Sequence, residues 1–153
     1  MSIFATAGST ISLSAGVPAT FNTAGYSALT YTIVGEVTDL GEFGREYALI
    51  THNPIGSRGT VKKKGSFNEG QLTVQMALDT DDAGQILAKA AELSDNPYAV
   101  KIALASGDAY YAQALVMSFK VTGGGVDTIT SATMVLELTT STGGVGIVEA
   151  LAA

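Results

Sequence analysis

The chain has 153 residues, a net charge of −6 and no cysteine, and 46% of its residues are hydrophobic. This length fits one domain with a sizeable core. The missing cysteines exclude a disulfide framework and a thiolate metal site, and the negative charge argues against binding nucleic acid through its phosphates.

Charged residues make up only 14% of the chain, against about 25% in ordinary globular domains. This shortage indicates that other subunits cover part of the surface. No apolar run is long enough to span a membrane, and the N-terminus lacks the basic start and solid apolar stretch of a signal peptide. We therefore expect a protein made and kept in the cytosol unless a whole assembly leaves the cell.

Residues 1–27 are rich in Ala, Ser, Thr and Gly, and no charged residue occurs between Met1 and Gly35. A disordered tail would be more polar or more charged. The segment is therefore predicted to be an extended arm that lies on the body or on a neighbouring subunit.

Residues 29–37 are rich in Thr, Tyr, Ile and Val and predict a strand. A second strand is predicted over Glu46–His52, where Asn53-Pro54 ends it with a turn signal. Residues 53–66 contain several glycines and basic residues and predict a long loop.

Residues 69–78 alternate between apolar and polar side chains, which predicts a half-buried strand. Residues 79–93 then change to helical spacing, with Thr80 or Asp79 as the cap and Asp81 and Asp82 where the helix dipole favours acids. The predicted buried stripe of this helix consists of Ile86, Leu87, Ala90, Ala91 and Leu93.

A hairpin is predicted from residues 98–105 and 110–121, and the glycines at 123–125 separate it from a last strand over 126–140 that can be interrupted near Ser131. Residues 141–153 look like a second, short arm. Several strands of similar spacing and one helix predict a mostly-β sandwich or barrel with a flanking helix at about 79–93.

None of the candidate chemical motifs is complete. His52 is the only histidine, and no Gly-x-Ser-x-Gly segment accompanies it. Asp79, Asp81 and Asp82 lack the closing Glu of a calcium loop, and the 123–125 glycines lack the Lys-Ser/Thr ending of a phosphate loop. We therefore predict a protein that is not an enzyme and that has no catalytic residue, metal or cofactor.

Charge is unevenly distributed along the chain. Residues 45–64 contain five of the eight basic residues, whereas Glu46 is the only one of the 14 acidic residues found there. The candidate contact residues in the loop are Arg58, Lys62, Lys63 and Lys64. Such a loop can contact an acidic face of another copy, bind nucleic acid or simply be solvated, and the residues alone leave the three readings open.

The order of motifs resembles a known family. The segment 64–87 (KGSFNEGQLTVQMALDTDDAGQIL) is followed by a hairpin, an aromatic-rich strand ending at Ser118-Phe119, a Thr-Gly-Gly-Gly-Val-Asp turn and the strand at 133–139. Over residues 28–140 this sequence resembles the tail tube protein, or major tail subunit, of long-tailed, non-contractile bacteriophages.

The resemblance implies a tail-tube β-sandwich domain at 28–140, with an N-terminal arm at 1–27 and a C-terminal arm at 141–153. Six copies would close into a ring, and rings would stack around a tape-measure protein in the host cytoplasm to form a virion tail. Tail-tip and tail terminator proteins would bind its ends, and no membrane would be involved. DNA would pass through an acidic lumen without specific binding, and the early loop and the termini would contact the next ring.

Strand phase does not identify the face that lines the lumen, for which the candidates are Asp108, Asp127 and Glu137. Two other kinds of protein also fit the sequence. One is a related ring, such as a tail-tip ring or a type VI secretion tube subunit. The other is a monomeric β-sandwich module for binding or adhesion.

Overall fold

The computed structural model describes residues 3–141 and 143–151, which form ten strands and two helices. The strands are β1 (Thr10–Ser14), β2 (Thr32–Ile33), β3 (Val37–Asp39), β4 (Glu46–His52), β5 (Val61–Asn68), β6 (Gln71–Ala77), β7 (Tyr98–Ala103), β8 (Ala109–Thr122), β9 (Ser131–Thr139) and β10 (Val148–Ala150). The helices are α1 (Thr23–Ser27) and α2 (Ala83–Glu92). The predicted mostly-β fold with a flanking helix is confirmed.

One antiparallel sheet forms the body, in the order β2-β1-β7-β8-β9-β6-β3, and β10 pairs with the start of β8. The strands at its two ends, β2 and β3, are consecutive in the chain. Four peptide steps join Ile33 to Val37 and span at most about 14 Å. The two ends of the sheet must therefore lie close together, so the sheet curls into a barrel-like shape.

The single strand predicted over residues 29–37 is wrong, because the chain bends between β2 and β3. Glu36 has a φ of 59°, in the left-handed region. Gly35 on the bend donates from its backbone N–H to the Asp82 carboxylate at 3.0 Å and accepts at its carbonyl from the Gln85 side chain at 3.1 Å. The amino end of α2 thus holds together the two edges of the sheet.

Helix α2 begins at Ala83, four residues later than predicted, and Asp82 is its N-cap instead of Thr80 or Asp79. The Asp82 side chain accepts from the backbone N–H of Gln85 at 3.0 Å. The predicted buried stripe is also partly wrong, because Ile86 is 54% exposed and Leu93 is 84% exposed. The buried face of α2 instead consists of Gly84, Gln85, Ala88 and Ala91.

The core lies between α2 and one face of the sheet. Strand β6 shows the predicted alternation: Leu72, Val74 and Met76 are fully buried, whereas Gln71 and Gln75 are exposed. Its neighbour β9 buries every second side chain in the same way.

Both predicted arms contain strands of the body. Residues Thr10–Ser14 of the N-terminal segment form β1 between β2 and β7, and Ile11 and Leu13 are completely buried. Tyr26 in α1 stacks on Tyr111 with ring centroids 5.6 Å apart. In the C-terminal segment β10 pairs with β8, although positions 1–2, 142 and 152–153 lie outside the described residues.

Candidate assembly surfaces

Strands β4 and β5 form a separate two-stranded hairpin outside the main sheet. The strand predicted at Glu46–His52 is confirmed, but residues 61–66 of the predicted loop belong to β5, so the loop proper is 53–60. Residues 61–66 resemble a loop in sequence because they contain three lysines and a glycine. Every residue of β4 is exposed, and only Gly65 of β5 is partly covered.

The hairpin exposes large apolar side chains to solvent. These are Tyr47, Leu49, Ile50, Ile55, Val61 and Phe67, and Ile55 at the tip is fully exposed. A two-stranded hairpin on its own is only marginally stable in water. Exposed apolar patches usually mark sites of protein contact, so the hairpin has the character of an interface.

The hairpin lysines do not share one face. Gly65 and Ser66 form a bulge in β5, since Tyr47 pairs with Phe67 and Leu49 pairs with Lys64. Paired residues of antiparallel strands share a face, and the register gives two sets. One face carries Tyr47, Leu49, Thr51, Lys62, Lys64 and Phe67, and the other carries Ile50, His52, Val61 and Lys63, while Arg58 lies in the tip.

Aromatic and cationic side chains pack together at the root of the hairpin, which is the end where it joins the main sheet. The Arg45 guanidinium carbon lies 3.9 Å from the centroid of the Phe67 ring, and Lys64 Nζ lies 4.7 Å from that of Tyr47. Tyr47 and Phe67 pack edge to face at 5.7 Å. Hydrogen bonds with the Tyr47 hydroxyl and the Glu69 carboxylate raise the pKa of Arg45. The root is therefore fixed in orientation while the tip remains open.

Glu69 is a buried carboxylate between β5 and β6, and no sequence pattern marks it as functional. Its Oε1 accepts from Arg45 Nε at 2.7 Å, and its Oε2 accepts from the backbone N–H of Ile147 at 3.0 Å. A Cβ atom at Gly146 would overlap this carboxylate. Glu69 thus connects the hairpin root to the segment that leads into β10.

The second candidate surface is one face of the main sheet, which we call the open sheet face. It consists of the outward side chains of β6, β9 and the second half of β8: Gln71, Thr73, Gln75, Ala77, Met117, Ser118, Lys120, Thr122, Ser131, Thr133, Val135, Glu137 and Thr139. Glu137 accepts a 2.7 Å hydrogen bond from the Gln71 side chain. The face is mostly neutral and polar, with one acid and one base.

The three predicted lumen residues lie in different places. Glu137 belongs to the open sheet face, whereas Asp108 lies in the turn before β8 and Asp127 lies in the loop after it. Ser106 Oγ lies 2.9 Å from Asp108 Oδ2. Because β8 has 14 residues, its two ends are about 43 Å apart. Asp108 and Asp127 therefore belong to opposite rims of the subunit.

The described residues contain no cluster of three His, Cys, Asp or Glu side chains that could hold a metal ion. His52 is exposed at the end of β4 and pairs across the hairpin with Val61. In the same part of the chain, neither helix has the length and apolar character needed to cross a membrane.

No protein-family model and no curated protein matches the sequence. Solved structures with similar folds include the following three. The anti-feeding prophage baseplate, a 6-fold symmetrised structure, gives a TM-score of 0.65 at 11% identity over 91% of this chain and 94% of that one. The sheath/tube terminator of the extracellular contractile injection system PVC gives 0.64 at 9% identity over 99% of both chains.

The third structure is the SPP1 tail tube, with a TM-score of 0.63 at 13% identity. The match covers 93% of this chain and 76% of that chain. Together with the curled sheet, the flanking helix and the projecting hairpin, these likenesses show that the chain has the tail tube fold.

Proposed function

We propose that this chain is a structural subunit of a bacteriophage tail tube. Six copies close into a ring, and rings stack into a tube through which DNA is delivered. The observation that carries the proposal is the β4–β5 hairpin, whose two faces expose large apolar side chains. Such a hairpin gains a stable environment when it lies against the adjacent ring.

An unpaired strand edge supports closure of the ring. Strand β7 pairs with β8 only as far as Ala114. Among the described strands, none pairs with the rest of β8 on that side, whereas β9 follows its other side to Thr122. Open edges recruit other strands unless something covers them. In the proposed ring, a strand of the neighbouring copy covers this edge.

The open sheet face is the proposed lining of the lumen. Within it Lys120 is the only cation, and its other side chains offer few groups that can pair with phosphates. DNA binding gains most of its affinity from counterion release by Lys and Arg, so DNA can slide past this face. Glu137 lies on the proposed wall, and Asp108 and Asp127 lie at its two rims.

The proposed partners and location follow from this role. A tape-measure protein occupies the lumen during assembly in the cytoplasm of the bacterial host, and tail-tip and terminator proteins bind the two ends. The mature protein resides in the virion tail. The mechanism is assembly, with no catalytic residue and no cofactor.

Negative-stain electron microscopy of the purified chain at increasing concentration tests the proposal. We expect hexameric rings and tubes. The double variant Leu49→Asp/Ile50→Asp places a charge on each hairpin face and should leave rings that do not stack. A chain that stays monomeric at high concentration, with and without tape-measure protein and host extract, would contradict the proposal.

A ring at the end of a tail is the second candidate, and the likenesses to a baseplate structure and a tube terminator favour it. Such a subunit forms rings that never stack. Micrographs that show only single rings at every concentration would therefore favour this candidate over a tube subunit.

A further inference from the structure

The loop between β8 and β9 presents two exposed apolar side chains at one end of the subunit. Val126 is 102% exposed and Ile129 is 77% exposed. The backbone N–H of Thr128 donates to the carbonyl of Gly125 at 3.2 Å, which places Val126 and Asp127 at the apex of a turn. A Cβ atom at Gly123 or Gly125 would meet no other atom within 4 Å, so the loop stands clear of the body.

A groove of about 610 Å³ lies at the other end of β8. Its apolar lining consists of Phe43, Leu104, Tyr110 and Ile147, and its polar lining includes Arg45 and Glu69. Phe43 and Tyr110 pack edge to face with centroids 5.1 Å apart. The groove is therefore a formed apolar site with one cation and one acid.

Geometry prevents the loop of one copy from filling its own groove. The strand from Tyr110 to Thr122 makes 12 steps and is about 40 Å long. A surface at one end that fits a site at the other end of an identical molecule produces a head-to-tail contact, which extends without closing. An open filament therefore results if a second copy of this chain occupies the groove.

Charge favours the same pairing. Asp127 lies beside Val126 at the turn apex, and Arg45 lies in the groove with 36% of its side chain exposed. The hydrogen bonds of Arg45 to Glu69 and Tyr47 involve two different nitrogens of the guanidinium. A guanidinium has five N–H donors, so donors remain for an incoming carboxylate.

We infer that the Val126–Asp127 apex of one copy binds in the Phe43–Leu104–Tyr110–Ile147 groove of the copy in the next ring, where Asp127 pairs with Arg45. This inference rests on the proposed head-to-tail stacking and adds a second inter-ring contact to the one made by the hairpin. The second contact joins the ends of the main sheets of successive rings.

Cross-linking tests the contact, because the chain contains no cysteine. Val126→Cys and Leu104→Cys are purified separately, mixed under assembly conditions and treated with a short bismaleimide. We expect covalent dimers from the mixture, at least tenfold more than from either variant alone. The double variant should give a ladder of longer species. Tyr110→Cys replaces Leu104→Cys if circular dichroism shows that the latter is unfolded.

Leu93→Cys is the matched control, because Leu93 is also an exposed apolar residue, lies at the end of α2 and belongs to no proposed contact. Equal yields from Leu93→Cys, or no Val126 product in samples where tubes are visible, would overturn the inference and leave the proposed function intact. Samples with neither tubes nor products would overturn both. As an independent measurement, Val126→Asp should raise the concentration for half-maximal assembly at least tenfold, whereas Thr130→Asp at the exposed end of the loop should not.

Discussion

The Nε atom of Arg45 donates a 2.7 Å hydrogen bond to the carboxylate of Glu69, which is almost completely buried. The other oxygen of Glu69 accepts from the backbone N–H of Ile147. Three parts of the chain that are distant in sequence meet at this one carboxylate. The position of the hairpin and the docking of β10 are therefore expected to depend on each other.

Glu69→Gln should uncouple the hairpin root from the C-terminal segment. The amide keeps the volume but has only one acceptor oxygen, so either Arg45 or the Ile147 N–H loses its partner. Leaving a buried donor without a partner costs about 1–3 kcal/mol of unfolding free energy. Urea denaturation checks the loss, and hydrogen exchange should show faster exchange in β10. Glu137→Gln, on the open sheet face, is the control and should have a much smaller effect.

Gly84→Ala should destabilise the protein, although alanine is the better helix former. Alanine stabilises a helix interior by about 1 kcal/mol relative to glycine, and by less at the second helical residue, where Gly84 lies. A Cβ atom at Gly84, however, would overlap the Ile33 carbonyl oxygen and the Val34 Cα atom, and backbone cannot move aside cheaply. We expect a net loss of about 1–3 kcal/mol in urea denaturation.

Ala90→Gly, on the exposed side of α2, measures the effect of helix propensity without the steric overlap. It should lower the free energy of unfolding by about 1 kcal/mol. If Gly84→Ala were instead more stable than the wild type, α2 would not lie as close to β2 as the structure has it.

These effects mark where sequence patterns predict the fold and where they fail. Strand β6 was predictable because one of its faces is buried and the other exposed, which produces alternation. The buried face of helix α2 was predicted wrongly because it includes Gln85, a polar residue. Gln85 is buried because it donates to Gly35 and Ala77 and accepts from Asp79. All three partners lie outside the helix, and Gly35 is 50 residues away in sequence.

The candidate surfaces were predictable only in part. The concentration of lysine identified the hairpin as unusual and β4 was predicted as a strand, but both faces of β5 are exposed and its bulge breaks the alternation, so β5 resembled a loop. Glu69 was missed because nothing in the local sequence distinguishes a buried carboxylate from a turn residue. Only the tertiary approach of Arg45 and Ile147 gives it its role.

Charge reversal of the hairpin lysines should prevent stacking. Lys62→Glu/Lys63→Glu/Lys64→Glu changes the charge by −2 at each of three sites, from −6 to −12. The matched control reverses Lys89, Lys101 and Lys120, which gives the same net charge outside the hairpin. If the hairpin meets an acidic surface of the next ring, only the first variant should lose tubes in electron micrographs.

The salt dependence of assembly gives a second readout of the same contact. Screening at high ionic strength weakens attraction between exposed charges, so wild-type assembly should slow as salt increases and the hairpin variant should respond less. Normal tubes from the hairpin variant would show that these lysines are solvated and do not form the inter-ring contact.

The tyrosine cluster under the N-terminal segment should make the protein labile at alkaline pH. Burial raises the pKa of Tyr26, and burial together with the nearby Tyr111 and Tyr26 raises the pKa of Tyr31. In the unfolded chain a tyrosine titrates near pH 10. Above about pH 10 the unfolded state loses these protons first, so the stability that is complete below that pH declines as pH rises.

Thermal unfolding at pH 8 and pH 11 tests this sign. The Tyr31 hydroxyl donates to the carbonyl of Tyr26 at 3.0 Å, so Tyr31→Phe should cost about 1 kcal/mol at pH 8. The same variant lacks one of the titrating groups. The difference in unfolding free energy between wild type and Tyr31→Phe should therefore shrink by up to about 1.4 kcal/mol per pH unit above pH 10. A constant difference between wild type and Tyr31→Phe at both pH values would mean that Tyr31 ionises equally easily in the folded and unfolded chains.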